Sequence, residues 1–215
     1  MILVIAEQRD GKLNRATWET IAAAQQLSGD MPINVAVLGA STEAAAQEVA
    51  SAAIAEVLVA EHAALEPYTP DAYASASRSL IESASPTFVL LPHTYQTRDF
   101  APLLAARLRK PLIPDVTAIS GTGADAAFLR PMFQGKLAAQ VKPQGGPPAI
   151  VTTQIGAFRA DAATERCRNS APRVKGCCVN RSCATASITT KCCGRSSAPT
   201  GASGWAAGQP VITDA

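Results

Sequence analysis

One short stretch near the middle of the chain combines an apolar run with the densest group of side chains that could do chemistry. Residues 87–99 read TFVLLPHTYQTRD and supply His93, Thr94, Arg98 and Asp99. A run that is apolar on both faces of a strand is typical of the interior of a parallel sheet covered by helices. The carboxyl end of such a strand is where sites and interfaces form. We therefore expect an interior strand here, with a polar cluster at its carboxyl end.

Two kinds of role are open to this polar cluster. His93 and Asp99 could exchange protons in a small enzyme, because imidazole and carboxylate groups serve as general acids and bases. Alternatively, Arg98 and Asp99 lie in the first turn of a helix while His93 hydrogen-bonds to the backbone. We favour a structural or subunit-interface role over catalysis and assign no catalytic residue.

All six cysteines lie in the last fifty residues of the chain, where they could suggest a metal or redox site. They are Cys167, Cys177, Cys178, Cys183, Cys192 and Cys193. No two of them have the C-x-x-C spacing of a zinc or redox motif, and neither histidine is near them in sequence. We predict no metal site and interpret the cysteines as thiols of an unstructured segment, reduced inside a cell.

Phosphate-binding and hydrolase motifs would point to other functions. The chain contains no G-x-G-x-x-G after its first strand, no G-x-x-x-x-G-K-[ST] and no G-x-S-x-G. The segment LGAS at residues 38–41 could place backbone N–H groups at the start of a helix, although a tight turn before a capped helix explains the same residues. A free-standing nucleotide-binding α/β protein that uses residues 39–41 therefore stays open as an alternative.

The elements that must position these residues alternate between strands and helices over the first half of the chain. Buried strands are predicted at residues 2–6, 33–38, 57–60 and 88–91. Helices are predicted at residues 15–27 after an N-cap at Asn14, from Ser41 to about 53, from Pro70 to about 83, and at 98–107. This order predicts an α/β fold with a doubly wound, mostly parallel sheet and helices on both faces.

The pattern changes after Lys110. Residues 111–114 read as a short extended segment, and further strands are predicted at 116–120, 127–132, 137–141 and 149–153. Turns rich in glycine and proline separate these strands. We predict that this part forms a small antiparallel extension of the parallel sheet.

Charge is divided unevenly along the chain. Residues 1–165 hold 12 basic and 16 acidic residues, a net charge of −4, whereas residues 166–215 hold seven basic residues and one acid, a net charge of +6. From residue 162 onward there is no Leu, Phe, Tyr or Met, so this segment cannot bury enough apolar surface to offset chain entropy. We predict an α/β domain over 1–161 and a disordered, basic, Cys-rich tail over 162–215. The tail lacks the interleaved aromatic residues typical of nucleic acid binding.

Targeting signals are the remaining guide to location. No window of the sequence holds the long apolar run that a membrane-spanning helix needs. The segment MILVIAE at residues 1–7 lacks the basic n-region of a signal peptide and leads directly into the first predicted strand. We therefore expect a soluble, cytoplasmic protein.

The segment H-T-Y-Q-T-R-D at residues 93–99 resembles a motif of the N-terminal domain of the electron-transfer flavoprotein alpha subunit. That family tends to carry H-T-x-x-x-R-D after a buried strand, often with Gly where this chain has Thr97. Further similar segments follow in the family's order from Met1 to about Asp161, at residues 2–7, 100–108, 115–119, 130–135 and 141–142. The ordered set is more specific than any single match. It makes six residues candidates for a structural or subunit-interface role: His93, Thr94, Arg98, Asp99, Arg130 and Gly135.

The resemblance implies an electron carrier rather than an enzyme. Members of the family are heterodimers of alpha and beta subunits that hold one FAD, accept electrons from dehydrogenases and pass them to a quinone oxidoreductase or another acceptor. Their FAD site lies mainly in the C-terminal domain of the alpha subunit, and the AMP of many members lies in the beta subunit. The implied docking surface for the beta subunit should be more apolar than the surface of a monomer.

After Asp161 nothing in this chain resembles that C-terminal domain, so no FAD ligand can be carried over to any residue here. We expect that this chain alone holds no FAD. The abrupt change to Arg, Cys and Ser near Glu165 resembles translation in a shifted reading frame. Resequencing the gene would test this expectation, because an uninterrupted, error-free frame across the change would contradict it.

Overall fold

The computed structural model describes residues 1–163 and the strand at 173–177, and shows an α/β fold. Its strands are β1 Ile2–Ala6, β2 Gln8–Arg9, β3 Lys12–Leu13, β4 Ile33–Gly39, β5 Glu56–Glu61, β6 Phe88–Pro92, β7 Leu112–Val116, β8 Ala118–Ser120, β9 Ala127–Met132, β10 Leu137–Val141, β11 Ala149–Thr153 and β12 Arg173–Cys177. Its α-helices are α1 Arg15–Ser28, α2 Glu43–Val49, α3 Pro70–Ala84 and α4 Tyr95–Leu108. Within this described part, none of the helices is long and apolar enough to cross a bilayer.

Seven parallel strands form the main sheet, in the order β12-β5-β4-β1-β6-β11-β7. The predicted interior strand is confirmed, because β6 lies between β1 and β11 and every one of its residues is buried. Its apolar run is what a strand with covered faces requires.

The sheet separates two apolar cores, and side-chain alternation along β1 shows how. Ile2, Val4 and Ala6 pack on the face that α1 and α2 cover. Leu3 and Ile5 pack on the opposite face, against α3 and α4. Successive side chains of a strand point to opposite faces, so a run that is apolar throughout supplies both cores at once. The predicted helices on both faces are therefore confirmed.

The predicted antiparallel extension is present but smaller than expected. It is a three-stranded sheet in the order β10-β9-β8, whereas β7 and β11 join the main parallel sheet. The strand predicted at 116–120 is divided, because Val116 is the buried last residue of β7 and Thr117 separates it from β8. Asp115, just before, has a φ of 61° at the register shift between β7 and β11, which marks a β-bulge after which the pairing resumes at Val116 and Thr153.

Helix boundaries follow the predictions at two helices and differ at two. The α1 and α3 boundaries lie within one residue of those predicted, and the Asn14 side chain caps α1 by accepting a hydrogen bond from the Ala16 N–H. The second helix is shorter than predicted and starts after Thr42 rather than Ser41. The fourth starts at Tyr95 rather than Arg98, because the Thr94 hydroxyl caps it by accepting from the Thr97 N–H.

Five residues within the predicted tail form a strand. Arg173–Cys177 pairs in parallel with β5 as the outermost strand of the sheet. Backbone pairing onto an open strand edge requires N–H and C=O groups rather than a long apolar run, so composition did not reveal this strand. Residues 164–172 and 178–215 of the predicted tail lie outside the described residues.

Phe128 on β9 joins the small sheet to the core of the main sheet. Its side chain is fully buried and its ring lies edge-on to Phe88, with 5.8 Å between ring centroids. Phe128→Ala should lower the free energy of unfolding by about 3–5 kcal/mol, because it leaves a cavity in the core. Phe133→Ala is the matched control, since Phe133 is 69% exposed, and should change it by no more than about 0.5 kcal/mol. Urea denaturation measures both variants, and equal losses would contradict this account of Phe128.

Candidate functional site

The carboxyl ends of four parallel strands bring polar side chains together at one edge of the main sheet. Glu7 follows β1, His93 follows β6, Thr152 is in β11 and Asp115 is in β7. Because β1, β6, β11 and β7 are consecutive neighbours in the sheet, these residues form one row, which we call the carboxyl-edge cluster. The sequence predicted only its His93 member.

His93 is held by its neighbours on β11 and β7. Its Nδ1 lies 2.8 Å from the Thr152 hydroxyl oxygen, and its backbone N–H donates to the Thr153 carbonyl at 2.8 Å. The same Thr152 hydroxyl oxygen accepts from the Asp115 N–H at 3.0 Å, and the Asp115 Oδ1 lies 3.9 Å from His93 Nε2. The ring of His93 thus bonds to a side chain, whereas the sequence analysis expected the backbone.

Burial lowers the pKa of His93 below its ordinary value of 6.5, and it is the largest cause of the shift. The carboxylate of Asp115 acts in the opposite direction, while the positive charges of Arg98 and Arg130 lower the pKa further. The structure thus favours the neutral imidazole.

The structure does not join His93 to Asp99, the acid–base pair considered from the sequence. Asp99 instead accepts a hydrogen bond from the Tyr68 hydroxyl at 3.1 Å. Partial burial and this bond to Asp99 raise the pKa of Tyr68. The Arg98 guanidinium lies over the ring of Tyr95, 5.8 Å from its centroid. Within the described residues, nothing links His93 and Asp99 into a proton-transfer pair.

Glu7 connects the amino ends of two helices. Its carboxylate accepts from the Asn14 side-chain amide at 2.8 Å, and its other oxygen accepts a short hydrogen bond from the Thr94 hydroxyl. Asn14 and Thr94 are the N-caps of α1 and α4. The Thr94 side chain is therefore buried and shared between a helix cap and the Glu7 carboxylate.

A crevice of about 540 Å³ opens between the carboxyl ends of β1 and β6, and Glu7, Thr94 and Tyr95 are among the residues that line it. The order of connections reverses here, which is where open α/β sheets bind nucleotides, with phosphate at a helix N-terminus. In this chain the Glu7 carboxylate bonds to the side chains that cap α1 and α4, so negative charge already lies beside both helix N-termini. Arg9 and Lys12 also line the crevice, so it holds charges of both signs.

The segment at residues 39–41 is also a poor nucleotide site. The Gln8 amide lies over Gly39 and donates to the Leu38 carbonyl at 3.1 Å. A Cβ placed on Gly39 would lie 2.1 Å from the Gln8 Nε2, so Gln8 fills the space above the turn. The helix after it, α2, has only seven residues.

The remaining candidates, Arg130 and Gly135, lie on the hairpin formed by β9 and β10. Arg130 is partly buried, and its Nε is fully shielded without a hydrogen-bond acceptor among the described residues. Gly135 has a φ of 83° in the turn between the strands, a conformation that side chains rarely adopt, and its N–H donates to the Met132 carbonyl at 3.1 Å. Gly135 thus shapes the turn, whereas Arg130 has a polar group that lacks a partner.

The large apolar side chains that the described residues leave exposed lie on two parts of the structure. Four are on the β9–β10 hairpin, and three are on segments that follow β5, β6 and β11. They are Leu129, Met132, Phe133 and Leu137, and Tyr68, Tyr95 and Ile155. Four of them are more than half exposed: Tyr95 at 89%, Phe133 at 69%, Leu137 at 61% and Ile155 at 57%. We call the four residues of the hairpin, together with Tyr95 and Ile155, the apolar face.

Sequence reasoning missed Glu7, Asp115 and Thr152 as members of the cluster. Glu7 carried a usable signal, because it follows an apolar run directly, as the polar cluster at 93–99 does. Asp115 and Thr152 carried none, because their strands were assigned to an antiparallel extension rather than to the parallel sheet. In the part of the chain that the structure describes, no group of three or more His, Cys, Asp or Glu could hold a metal ion.

Comparison with known proteins gives a consistent family. The family model of the electron transfer flavoprotein domain matches residues 2–175, beyond the limit near Asp161 that the sequence suggested. The electron transfer flavoprotein subunit alpha of Bacillus subtilis is 38% identical over 135 residues, which cover 63% of this chain and 42% of that protein. The subunit alpha of Pseudomonas aeruginosa is 32% identical over 163 residues, which cover 75% of this chain and 50% of that protein.

A further relative has a different name. The lactate dehydrogenase (NAD(+),ferredoxin) subunit LctC of Acetobacterium woodii is 26% identical over 162 residues, which cover 74% of this chain and 39% of that protein. The chain thus spans half or less of the length of these three relatives.

His93 should make the stability of the chain depend on pH. Its lowered pKa means that the unfolded chain binds more protons than the folded chain below about pH 6.5. Its contribution to stability is therefore complete above 6.5 and is lost as the pH falls through the folded-state pKa. Urea denaturation at several pH values should show a smaller acid-side loss of stability for His93→Gln than for the wild type.

The matched control for that experiment is His62→Gln at the other histidine, which is exposed in the segment after β5. This variant should keep the acid-side loss of the wild type. If His93→Gln also keeps all of it, burial of the neutral imidazole makes no measurable contribution.

Proposed function

Since the chain belongs to the electron transfer flavoprotein family, we propose that it serves as the N-terminal part of an alpha subunit. In this role it pairs with a beta subunit in a heterodimer that carries electrons from dehydrogenases to an acceptor such as a quinone oxidoreductase. Two relatives named electron transfer flavoprotein subunit alpha support the assignment of the subunit.

The observation that carries this proposal is the apolar face. Phe133 is 69% exposed, Leu137 61% and Ile155 57%, although the same chain buries aliphatic residues completely in two cores. Clusters of exposed apolar side chains mark places where another protein binds, and four of these side chains lie on the one hairpin. A beta subunit that covers this hairpin and the carboxyl edge would remove those side chains from water.

The candidate residues would support such an interface in different ways. Thr94 and Asp99 fix the start of α4 and the position of Tyr68. His93 and Gly135 fix the carboxyl edge and the hairpin turn. These four would shape the surface, while Arg98 and Arg130 would present positive charge to the partner.

We propose a carrier role rather than catalysis by this chain. Within the described residues, His93 bonds to Thr152 and Asp99 to Tyr68, so neither is arranged as a general acid or base with a free partner. One relative is named as a subunit of a lactate dehydrogenase, and a carrier subunit could serve such a complex too. A pocket of about 480 Å³ is lined by Gly39, Ala40 and Arg9, but Gln8 lies over Gly39 and the helix that follows has only seven residues, so a free-standing nucleotide-binding protein is the weaker alternative.

Removing the most exposed ring of the hairpin should weaken docking. The probe is the electron transfer flavoprotein beta subunit of the organism that carries this gene. We expect the full chain to bind it, and Phe133→Ala with Leu137→Ala to weaken binding at least tenfold, because both side chains would be buried at the interface. Isothermal titration calorimetry measures the affinity. The matched control is Glu48→Ala, which also truncates an exposed side chain but lies on α2, outside the apolar face.

An unchanged affinity for the double variant would show that the partner binds elsewhere. The absence of any binding by the wild type would overturn the proposed pairing itself.

We also propose that FAD is held outside this chain in the complete carrier. The purified chain should show no visible flavin absorbance after incubation with FAD and gel filtration, because the Glu7 carboxylate, bonded to the capping side chains of α1 and α4, places negative charge beside the helix N-termini that would receive the pyrophosphate. A flavin band that elutes with the protein would contradict this proposal. The B. subtilis alpha subunit assembled with its own beta subunit is a suitable positive control for loading.

A further inference from the structure

Arg130 is a partly buried cation without a partner in the described structure. On β9 its side chain shares a face with Phe128, two residues earlier, because alternate residues of a strand point the same way. Phe128 enters the core, whereas Arg130 lies where the hairpin passes beyond it. Its Nε is shielded from water and meets no hydrogen-bond acceptor among the described residues.

The other arginines of the described part of the chain either pair with an acidic residue or are exposed to water. Arg15, Arg78, Arg107 and Arg159 each form an ion pair with an acidic residue, even though Arg159 is 82% exposed. Arg9, Arg98 and Arg109 are exposed, so water can hydrate them. Arg130 differs from both groups, because it is partly buried and has no acidic partner in the described part of the chain.

Within the described residues, no acidic side chain forms an ion pair with Arg130. Arg130 and Arg98 both act on His93 as positive charges. Asp115, the acid beside His93, faces that ring through Oδ1 and accepts from the Gln154 side-chain amide through Oδ2 at 3.4 Å. From residue 126 to residue 160 the sequence contains no acidic residue but has Arg130, Lys136, Lys142 and Arg159.

A guanidinium stays charged at any physiological pH, and burying it without an acceptor is unfavourable. Its planar fork of N–H donors matches a carboxylate, which it can bind through two parallel hydrogen bonds. Met132, two residues later on the same strand, shares the face of Arg130 and pairs with Leu137 of β10, and Phe133 follows in the turn. A central arginine beside exposed apolar side chains is the usual composition of the residues that dominate a protein interface.

We propose that Arg130 forms a bidentate ion pair with an aspartate or glutamate side chain of the beta subunit, at the centre of the apolar face. The inference rests on the proposed function, since it specifies the chemistry of the docking surface. The positive charge and the lack of acidic residues on this hairpin select an acidic group on the partner. The apolar side chains around it exclude water from the pair, which strengthens it.

The test uses the full chain and the beta subunit of the same organism, with affinity measured by calorimetry. Arg130→Met should weaken binding at least tenfold, because the partner's carboxylate would be buried without a donor. Arg130→Lys should lose less, since it keeps the charge but not the fork. Lys136→Met is the matched control: it removes one positive charge from an exposed position on the same hairpin and should change the affinity less than twofold.

A second measurement needs no partner. If Arg130 serves binding rather than folding, its side chain does not stabilise the free chain. Arg130→Met should then raise the Tm of the free chain by about 2 °C or more. A lower Tm would show that Arg130 supports the fold and would overturn the proposal. Lys136→Met should leave the Tm unchanged within about 1 °C.

The experiment distinguishes failure of the ion pair from failure of the proposed function. If the wild type binds the beta subunit and Arg130→Met binds equally well, the ion pair is excluded while the proposed function stands. If the wild type does not bind, the proposed function fails and this inference fails with it.

Discussion

The Glu7 carboxylate is the interaction on which the arrangement of the carboxyl edge depends. It accepts hydrogen bonds from Asn14 and Thr94, the N-caps of two helices that pack on opposite faces of the sheet. Partial positive charge collects at each helix N-terminus, so one carboxylate stabilises both. Because Glu7 directly follows β1, the position of that strand fixes where α1 and α4 begin. The carboxyl-edge cluster runs from Glu7 on one side to Asp115 on the other, so these hydrogen bonds lie at one end of it.

The same carboxylate distinguishes this sheet edge from the edge of an α/β sheet that binds a phosphate. Open α/β sheets commonly bind a phosphate where Glu7 lies here, and the negative charge is then supplied by the ligand. In this chain negative charge beside the helix N-termini is part of the polypeptide, in keeping with the proposed use of this edge for packing against a partner. The exposed Tyr95 and Ile155 beside it fit that use, because they offer apolar area and little hydrogen bonding.

The fold was predictable wherever the pattern was local. The apolar runs at β1, β4 and β6, the Asn14 cap and Pro70 all gave correct elements, since strand burial and helix capping act over a few residues. The placement of β7 and β11 was not predictable, because it depends on pairing with strands that are distant in sequence. Thr94 is an intermediate case, since its residue type is common at N-caps although the helix was predicted to start later.

The site residues show the same difference between local patterns, which the sequence reveals, and long-range pairing, which it does not. His93 was found because it directly follows a buried strand, but its partners Thr152 and Asp115 come from β11 and β7, whose neighbours the sequence did not reveal. Arg130 was named from a family motif, and its lack of a partner is visible only in three dimensions. Local sequence patterns therefore predicted the strands and helices, whereas the pairing of distant strands determined which side chains meet at the carboxyl edge.

The outermost pairing of the main sheet has a consequence for how the molecule resists self-association. The hydrogen-bonding groups along one side of β5 are satisfied by Arg173–Cys177, a segment that begins twenty residues after β11 ends. A shorter version of this polypeptide that stopped before Arg173 would present those amides and carbonyls to other molecules. Such a bare margin is a template for strand addition and for amyloid-like growth. The last described strand thus moves the open edge of the sheet from β5 to Arg173–Cys177, and a short edge strand that carries Arg and Lys is a poor template for strand addition.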